Sequence, residues 1–144
     1  MITIQQYFGS KAHTQAQEDS AIDLLERVDR LTSEAEAVGQ FRRRIDPDTG
    51  SEISGSPGGA GDGGFRLPTS TTGTATSSHR EARAVDVYDP ANELDTWLND
   101  FEDGQGGNSK LEEYGLYREH PDATIHWCHF TTRPPRSLKR TFRP

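Results

Sequence analysis

Two short stretches concentrate the residue types that bind a metal. In Ser77-Ser78-His79-Arg80-Glu81-Ala82-Arg83-Ala84-Val85-Asp86 an imidazole and a carboxylate stand seven residues apart, and His126-Trp127-Cys128-His129 supplies further imidazoles in an aromatic-flanked segment. Imidazole nitrogen and carboxylate oxygen together suit a divalent transition ion, above all zinc. The residue types point to one zinc ion held by His79, Asp86 and His129. Each has an ordinary alternative: a loop histidine, a paired surface acid, a satisfied core imidazole. Their joint placement beside small and aromatic residues favours the metal. Cys128 is a soft donor next to His129, but strand alternation turns neighbouring side chains to opposite faces, so it reads as a buried structural thiol. His13 and His120 read as surface residues.

These side chains need elements to hold them. From Ala82 to Tyr88, Ala82, Ala84, Asp86 and Tyr88 alternate with Arg83, Val85 and Val87, which predicts a strand carrying Asp86. A carboxylate buried there requires a metal or hydrogen-bond donors. Leu116 to Glu119 and Thr124 to Phe130 predict two more strands, joined by a loop at Pro121-Asp122. Upstream, Ala21, Leu24, Val28, Leu31, Ala35 and Val38 recur at spacings of three and four, predicting one amphipathic helix over residues 17–38, closed by Gly39 and packed on the sheet. Gln40 to Ile45 alternates as a strand, with a hairpin return through Glu52 and Ile53. Asp89-Pro90 opens a helix with Leu94, Trp97, Leu98 and Phe101 on its apolar face. Ser109 with Glu112 is a capping-box signature for a short helix ending at Gly115. The expected fold class is α+β: a small antiparallel sheet with an N-terminal amphipathic helix, shorter helices, and the zinc site on the sheet.

The rest reads as irregular. The Gly-rich loop 55–64 is followed by no Lys-Ser or Lys-Thr pair, so it does not read as a phosphate cradle. Residues 68–76, rich in Thr and Ser, read as a surface loop leading to His79. The C-terminal tail 131–144 holds five cations, three prolines and no acid, and is expected to lie irregularly over the domain. With 144 residues of which 31% are hydrophobic, one domain with a small core and long connections is expected, which a bound metal would help to hold. A net charge of -7 argues against nucleic acid as a partner, because such binding is mostly phosphate neutralisation by Lys and Arg. No apolar run has the length of a signal peptide or a membrane span, so synthesis in the cytoplasm and no membrane partner are expected. One cysteine leaves no intramolecular disulfide.

The same residues resemble a known family, the zinc D-Ala-D-Ala carboxypeptidases and dipeptidases with the related phage endolysins that cut peptidoglycan peptide stems. Its motif Ser-x-His-x-x-Gly-x-Ala-x-Asp is met by Ser77, His79, Ala84 and Asp86, with Ala82 where Gly is usual. Trp127-Cys128-His129 is similar to the segment carrying its last metal-binding His, and Gly64-Phe65-Arg66 looks like its Ser-Gly-aromatic-Arg element. Likeness to the small phage and prophage branch extends to Tyr7-Phe8-Gly9, Gly115-Leu116-Tyr117, Glu119-His120-Pro121 and Pro134-Pro135-Arg136.

The resemblance implies a zinc metallopeptidase, a carboxypeptidase or endopeptidase acting on peptidoglycan stem peptides at the host cell wall. Arg66 would grip a substrate carboxylate or a developing oxyanion, and Ser77 would bind substrate or orient the His79 loop. Related enzymes place an acid three residues before the last ligand; here that residue is His126, so the general base is either Glu119, on the neighbouring strand, or His126. A second function is a phage virion component, in the tail or baseplate, with a peptidase-like fold, a structural or inactive zinc site and other virion proteins as partners.

Overall fold

In the computed structural model, residues 1–55, 63–68, 70 and 77–143 are described. Most of the Gly-rich stretch and of the Thr/Ser-rich stretch before Ser77 lies outside them. The fold is α+β, with a four-stranded sheet in the order β1-β3-β2-β4, from Ala84–Tyr88 (β1), Trp127–Thr131 (β3), Tyr117–Glu119 (β2) and Thr141–Phe142 (β4). The β1/β3 and β3/β2 pairs are antiparallel and β2/β4 is parallel. No helix among the described residues is long and apolar enough to cross a membrane.

The predicted amphipathic helix is α2, Gln15–Ala37. It begins two residues earlier than its apolar periodicity indicates, because Thr14 and Gln17 form a capping box that satisfies the first backbone N–H groups. Leu24, Leu25, Val28, Leu31 and Ala35 are buried, and they meet Val85, Val87, Cys128 and Phe130 in one apolar cluster. Each large aliphatic side chain so buried contributes about 1.5–3 kcal/mol of transfer free energy. The N-terminal segment forms a five-residue helix, α1, Ile4–Phe8, opened by its own Thr3/Gln6 capping box and ended at Gly9.

Two shorter helices follow β1. In α3, Glu93–Asn99, the Asp89 carboxylate accepts from the N–H groups of Glu93 and Leu94 at 2.9 Å each, a role that Asp89-Pro90 foreshadowed. In α4, Ser109–Tyr114, the cap is Asn108 rather than Ser109; its Oδ1 accepts from Lys110 and Leu111, and Gly115 ends the helix at φ 65.

The segment 40–53 does not form the expected hairpin strands. It makes only isolated bridges, Asp46 with Ser51 and Ile53 with Val87. Its alternation serves ion pairs instead: Arg43 reaches Asp29 (3.0 Å), Glu36 (2.6 Å) and Glu52 (2.9 Å), pinning the segment to α2 through side chains. The tail is also less irregular than expected. Backbone bonds Arg118 N–H to Arg140 O (2.8 Å) and His120 N–H to Phe142 O (2.7 Å) dock β4 on β2.

Beneath the sheet, the buried Arg118 donates to Asp95 Oδ1 (2.9 Å), Asn99 Oδ1 (2.7 Å) and Thr141 Oγ1 (2.9 Å), tying α3, β2 and β4 together. Cys128 Sγ lies 3.4 Å from Asp95 Oδ1 on this same core face.

Candidate metal centre

The pairing register puts the ligand types on one sheet face. Asp86 on β1 pairs with His129 on β3, and continuing the Arg118–Phe130 pairing by one residue sets Glu119 on β2 across from His129. Side chains directly opposite on neighbouring strands share a face. Val87, Cys128 and Arg118 fall on the other face by the same alternation, so the Cys128 thiol points away from the cluster.

His79 arrives from outside the sheet, on a short 3-10 turn, Ser78–Glu81, capped at its start by Ser77 Oγ, which accepts from His79 N–H at 3.3 Å. The turn ends at Ala82, buried, with φ 58. That left-handed conformation costs a residue with a Cβ on the order of 1 kcal/mol, which is a physical reason for glycine at the corresponding motif position.

A strap covers the free edge of β1. Asp86 N–H donates to Gly63 O and Ser54 N–H donates to Asp86 O, both at 2.8 Å. A Cβ on Gly63 would stand 2.3 Å from Ser54 O and 3.1 Å from Asp86 Cβ, so only glycine lets the strap approach this closely. Tyr7 fixes the strap from α1: its O accepts from Phe65 N–H (3.1 Å) and its hydroxyl donates to Ala84 O (2.8 Å).

His79, Asp86 and His129 form a group able to hold a metal ion, with one ligand atom from each lying within 4.8 Å of the others. Asp86 Oδ1 is 3.4 Å from His79 Nε2 and 2.8 Å from His129 Nδ1. Donors at 2.0–2.1 Å around a tetrahedral ion lie about 3.3 Å apart, so the spacing fits with small adjustments. His79 Nδ1 is 2.9 Å from Gly64 O. Donation of its N–H to that carbonyl leaves the Nε2 lone pair facing Asp86, the outer hydrogen bond that orients a ligating histidine.

Charges in the cluster are mutually set. Burial acts to raise the Asp86 pKa, but the imidazoles of His79 and His129 outweigh it and hold the carboxyl well below the usual carboxylate range. Burial lowers the His79 pKa, favouring the neutral form that ligates. At His129 burial works in the same direction, but the hydrogen bond and charge of Asp86 outweigh it and the pKa is raised. Arg66, also buried, brings Nη2 to 3.6 Å from Asp86 Oδ2, and its N–H donates to His79 O at 3.2 Å.

Glu119 is half-buried, and its carboxylate makes no hydrogen bond or ion pair among the described residues. Burial raises its pKa, with Asp86 adding to the rise and His129 and Arg66 opposing it. His126 lies elsewhere: β3 starts after it, its φ is 76, and its exposed ring sets Nδ1 3.2 Å from Pro90 O while its N–H donates to Asn92 Oδ1. Thus Arg66, His79, Asp86, Glu119 and His129 come together, Ser77 supports the His79 turn, and His126 stands apart. Phe142 was not singled out from the sequence, yet its ring meets that of His129 edge-on at 6.2 Å. Its only sequence signal is an aromatic in a cationic tail.

The fold and the cluster define an α+β protein with a His-Asp-His group able to hold a metal ion. Compared with known proteins, the chain matches no family model, no curated protein and no solved structure.

Proposed function

We propose that this chain is a zinc-dependent metallopeptidase, of phage origin, that hydrolyses peptide bonds in peptidoglycan stem peptides. The observation that carries the reading is the row Asp86–His129–Glu119 across three adjacent strands, with His79 completing a three-ligand set and the Glu119 carboxylate beside it, unpaired among the described residues. The motif resemblance at Ser77, His79, Ala84 and Asp86 supports the same class. Three protein ligands from imidazole and carboxylate are the donor set of catalytic rather than closed structural zinc sites. Zinc, when bound, supplies Lewis acidity toward a carbonyl and toward water.

The chain's own residues supply the rest. Glu119, with its raised pKa, is suited to take a proton from the attacking water and return it to the leaving amine. His126 is the weaker candidate because its ring is engaged near Pro90. Arg66 presents a guanidinium beside Asp86 that can also grip a substrate carboxylate or stabilise an oxyanion. Ser77 acts through His79, as the cap of its turn.

The test is mass spectrometry of peptidoglycan fragments incubated with zinc-loaded protein. Wild type is expected to release cleaved peptide. Glu119→Gln is expected to keep its zinc and lose activity by roughly 100-fold or more. His79→Ala is expected to lose the zinc itself. No release by zinc-replete wild type across several stem-peptide types would overturn the reading and leave the virion component in its place.

A further inference from the structure

We propose that Phe142, carried to the metal face by the C-terminal strand, is a specificity residue: its ring walls the open side of the centre and selects an apolar group on the bound substrate. The proposal rests on the metal centre of the peptidase reading, of which it specifies the substrate, through the side chain that flanks the scissile bond.

Strand register places the ring. On β4, Phe142 pairs with Glu119 of β2, while Thr141 pairs with Arg118. Paired residues on neighbouring strands share a face. The row Asp86–His129–Glu119 therefore continues across a fourth strand to Phe142. The edge-on meeting of the Phe142 and His129 rings, with centroids 6.2 Å apart, agrees with that shared face.

The row is closed at one end and open at the other. At the β1 end, Gly63 and Ser54 engage the Asp86 backbone, the side chains of His79 and Asp86 are 2% exposed, and that of Arg66 is 7% exposed. The His129 side chain is 12% exposed, and Glu119 and Phe142 beyond it are each partly exposed. A ligand that reaches the cluster therefore comes over β2 and β4, past the Phe142 ring.

The core does not use this ring. Of the six phenylalanines, Phe8, Phe41, Phe65 and Phe130 belong to the apolar cluster and Phe101 packs against it, whereas Phe142 does neither among the described residues. A ring left partly in water beside an imidazole and a carboxylate adds little to folding. It suits a ligand site, where apolar surface stands next to a few polar groups that fix orientation. With a peptide carbonyl at the cluster, the ring flanks the neighbouring substrate side chain. An apolar side chain gains contact there, and a polar one loses water without finding a partner.

The experiment is calorimetric titration of the zinc-loaded full chain with acetohydroxamate and hexanohydroxamate, which share a zinc-chelating head and differ in alkyl length. Wild type is expected to bind the longer compound roughly tenfold more tightly, the gain of about two buried methylenes. Phe142→Thr removes the ring but keeps a strand-forming residue and the backbone bond from His120 N–H to its carbonyl. It is expected to bring the ratio close to one and leave acetohydroxamate affinity unchanged. Leu138→Ala, which trims an exposed apolar side chain of the same tail, is expected to keep the wild-type ratio. Independently of the threonine variant, wild type is expected to show a nuclear Overhauser effect from the hexanoyl chain to a phenylalanine ring, absent in Phe142→Leu. Equal affinities in wild type, no binding of either compound, an unchanged ratio in Phe142→Thr, or no such ring contact would overturn the proposal. A ratio that depends on Phe142, without cleavage of any stem peptide, would sink the peptidase reading alone. Cleavage with equal affinities would sink the Phe142 wall alone.

Discussion

Asp86 lies between two imidazoles and a guanidinium, and its charge and hydrogen bond raise the pKa of His129 against the effect of burial. Its depressed pKa means that its stabilising contribution is complete above about pH 4 and is lost on acidification below that. The raised pKa of His129 means the opposite: its contribution is complete below about pH 6.5 and is lost as pH rises through the folded value. In metal-free protein the pair therefore contributes most between about pH 4 and 6.5. His79, with its lowered pKa, disfavours the fold as pH falls below its ordinary value, a trend present with or without Asp86. Urea unfolding in EDTA should give a stability gap between wild type and Asp86→Asn on the order of 3 kcal/mol inside that window, narrowing on both sides. A gap independent of pH would mean that Asp86 and His129 are not an ion pair.

At the scale of elements, the centre depends on two backbone devices: the strap at Gly63 and the turn ending at Ala82. The turn holds His79 against Gly64 O, and its left-handed exit is tolerable for alanine but severe for a β-branched residue, which is also too large for a position with no exposed surface. Ala82→Val is expected to destabilise the protein by about 2–4 kcal/mol through strain and overpacking, and to weaken zinc binding by misplacing His79. Denaturation midpoints and zinc titration check the two effects separately. Wild-type stability and affinity in this variant would show that the turn is not held as described.

For the molecule as a whole, the ligands come from two separated regions of the chain, the turn and strand at residues 79–86 and β3 at His129, so a bound ion closes a loop of the fold. An ion that binds only the folded state at a hundred times its Kd adds about 2.7 kcal/mol. For a chain of 144 residues this raises Tm by on the order of 10 °C, reversed by EDTA. A Tm insensitive to saturating zinc would argue against the centre. The core face of the sheet is independent of the ion, because Arg118 and its partners Asp95 and Asn99 tie α3 to β2 and β4.

Local patterning determined much of this: the spacing of Leu24, Val28 and Leu31 made α2, alternation around Asp86 made β1, and the donor chemistry of His79, Asp86 and His129 marked the ligand set. These are properties of one segment at a time, readable from period and residue type. Tertiary structure alone decided the rest. Only strand register sets Glu119 across from His129, and only a positive φ turns His126 toward Pro90 despite its nearness in sequence. The alternating segment 40–53 is held to α2 by the ion pairs of Arg43 and joins the sheet edge only at Ile53, whereas the cationic tail found β2 and brought Phe142 to the centre. Which segment pairs with which depends on contacts between residues far apart in the chain, and local sequence does not encode those.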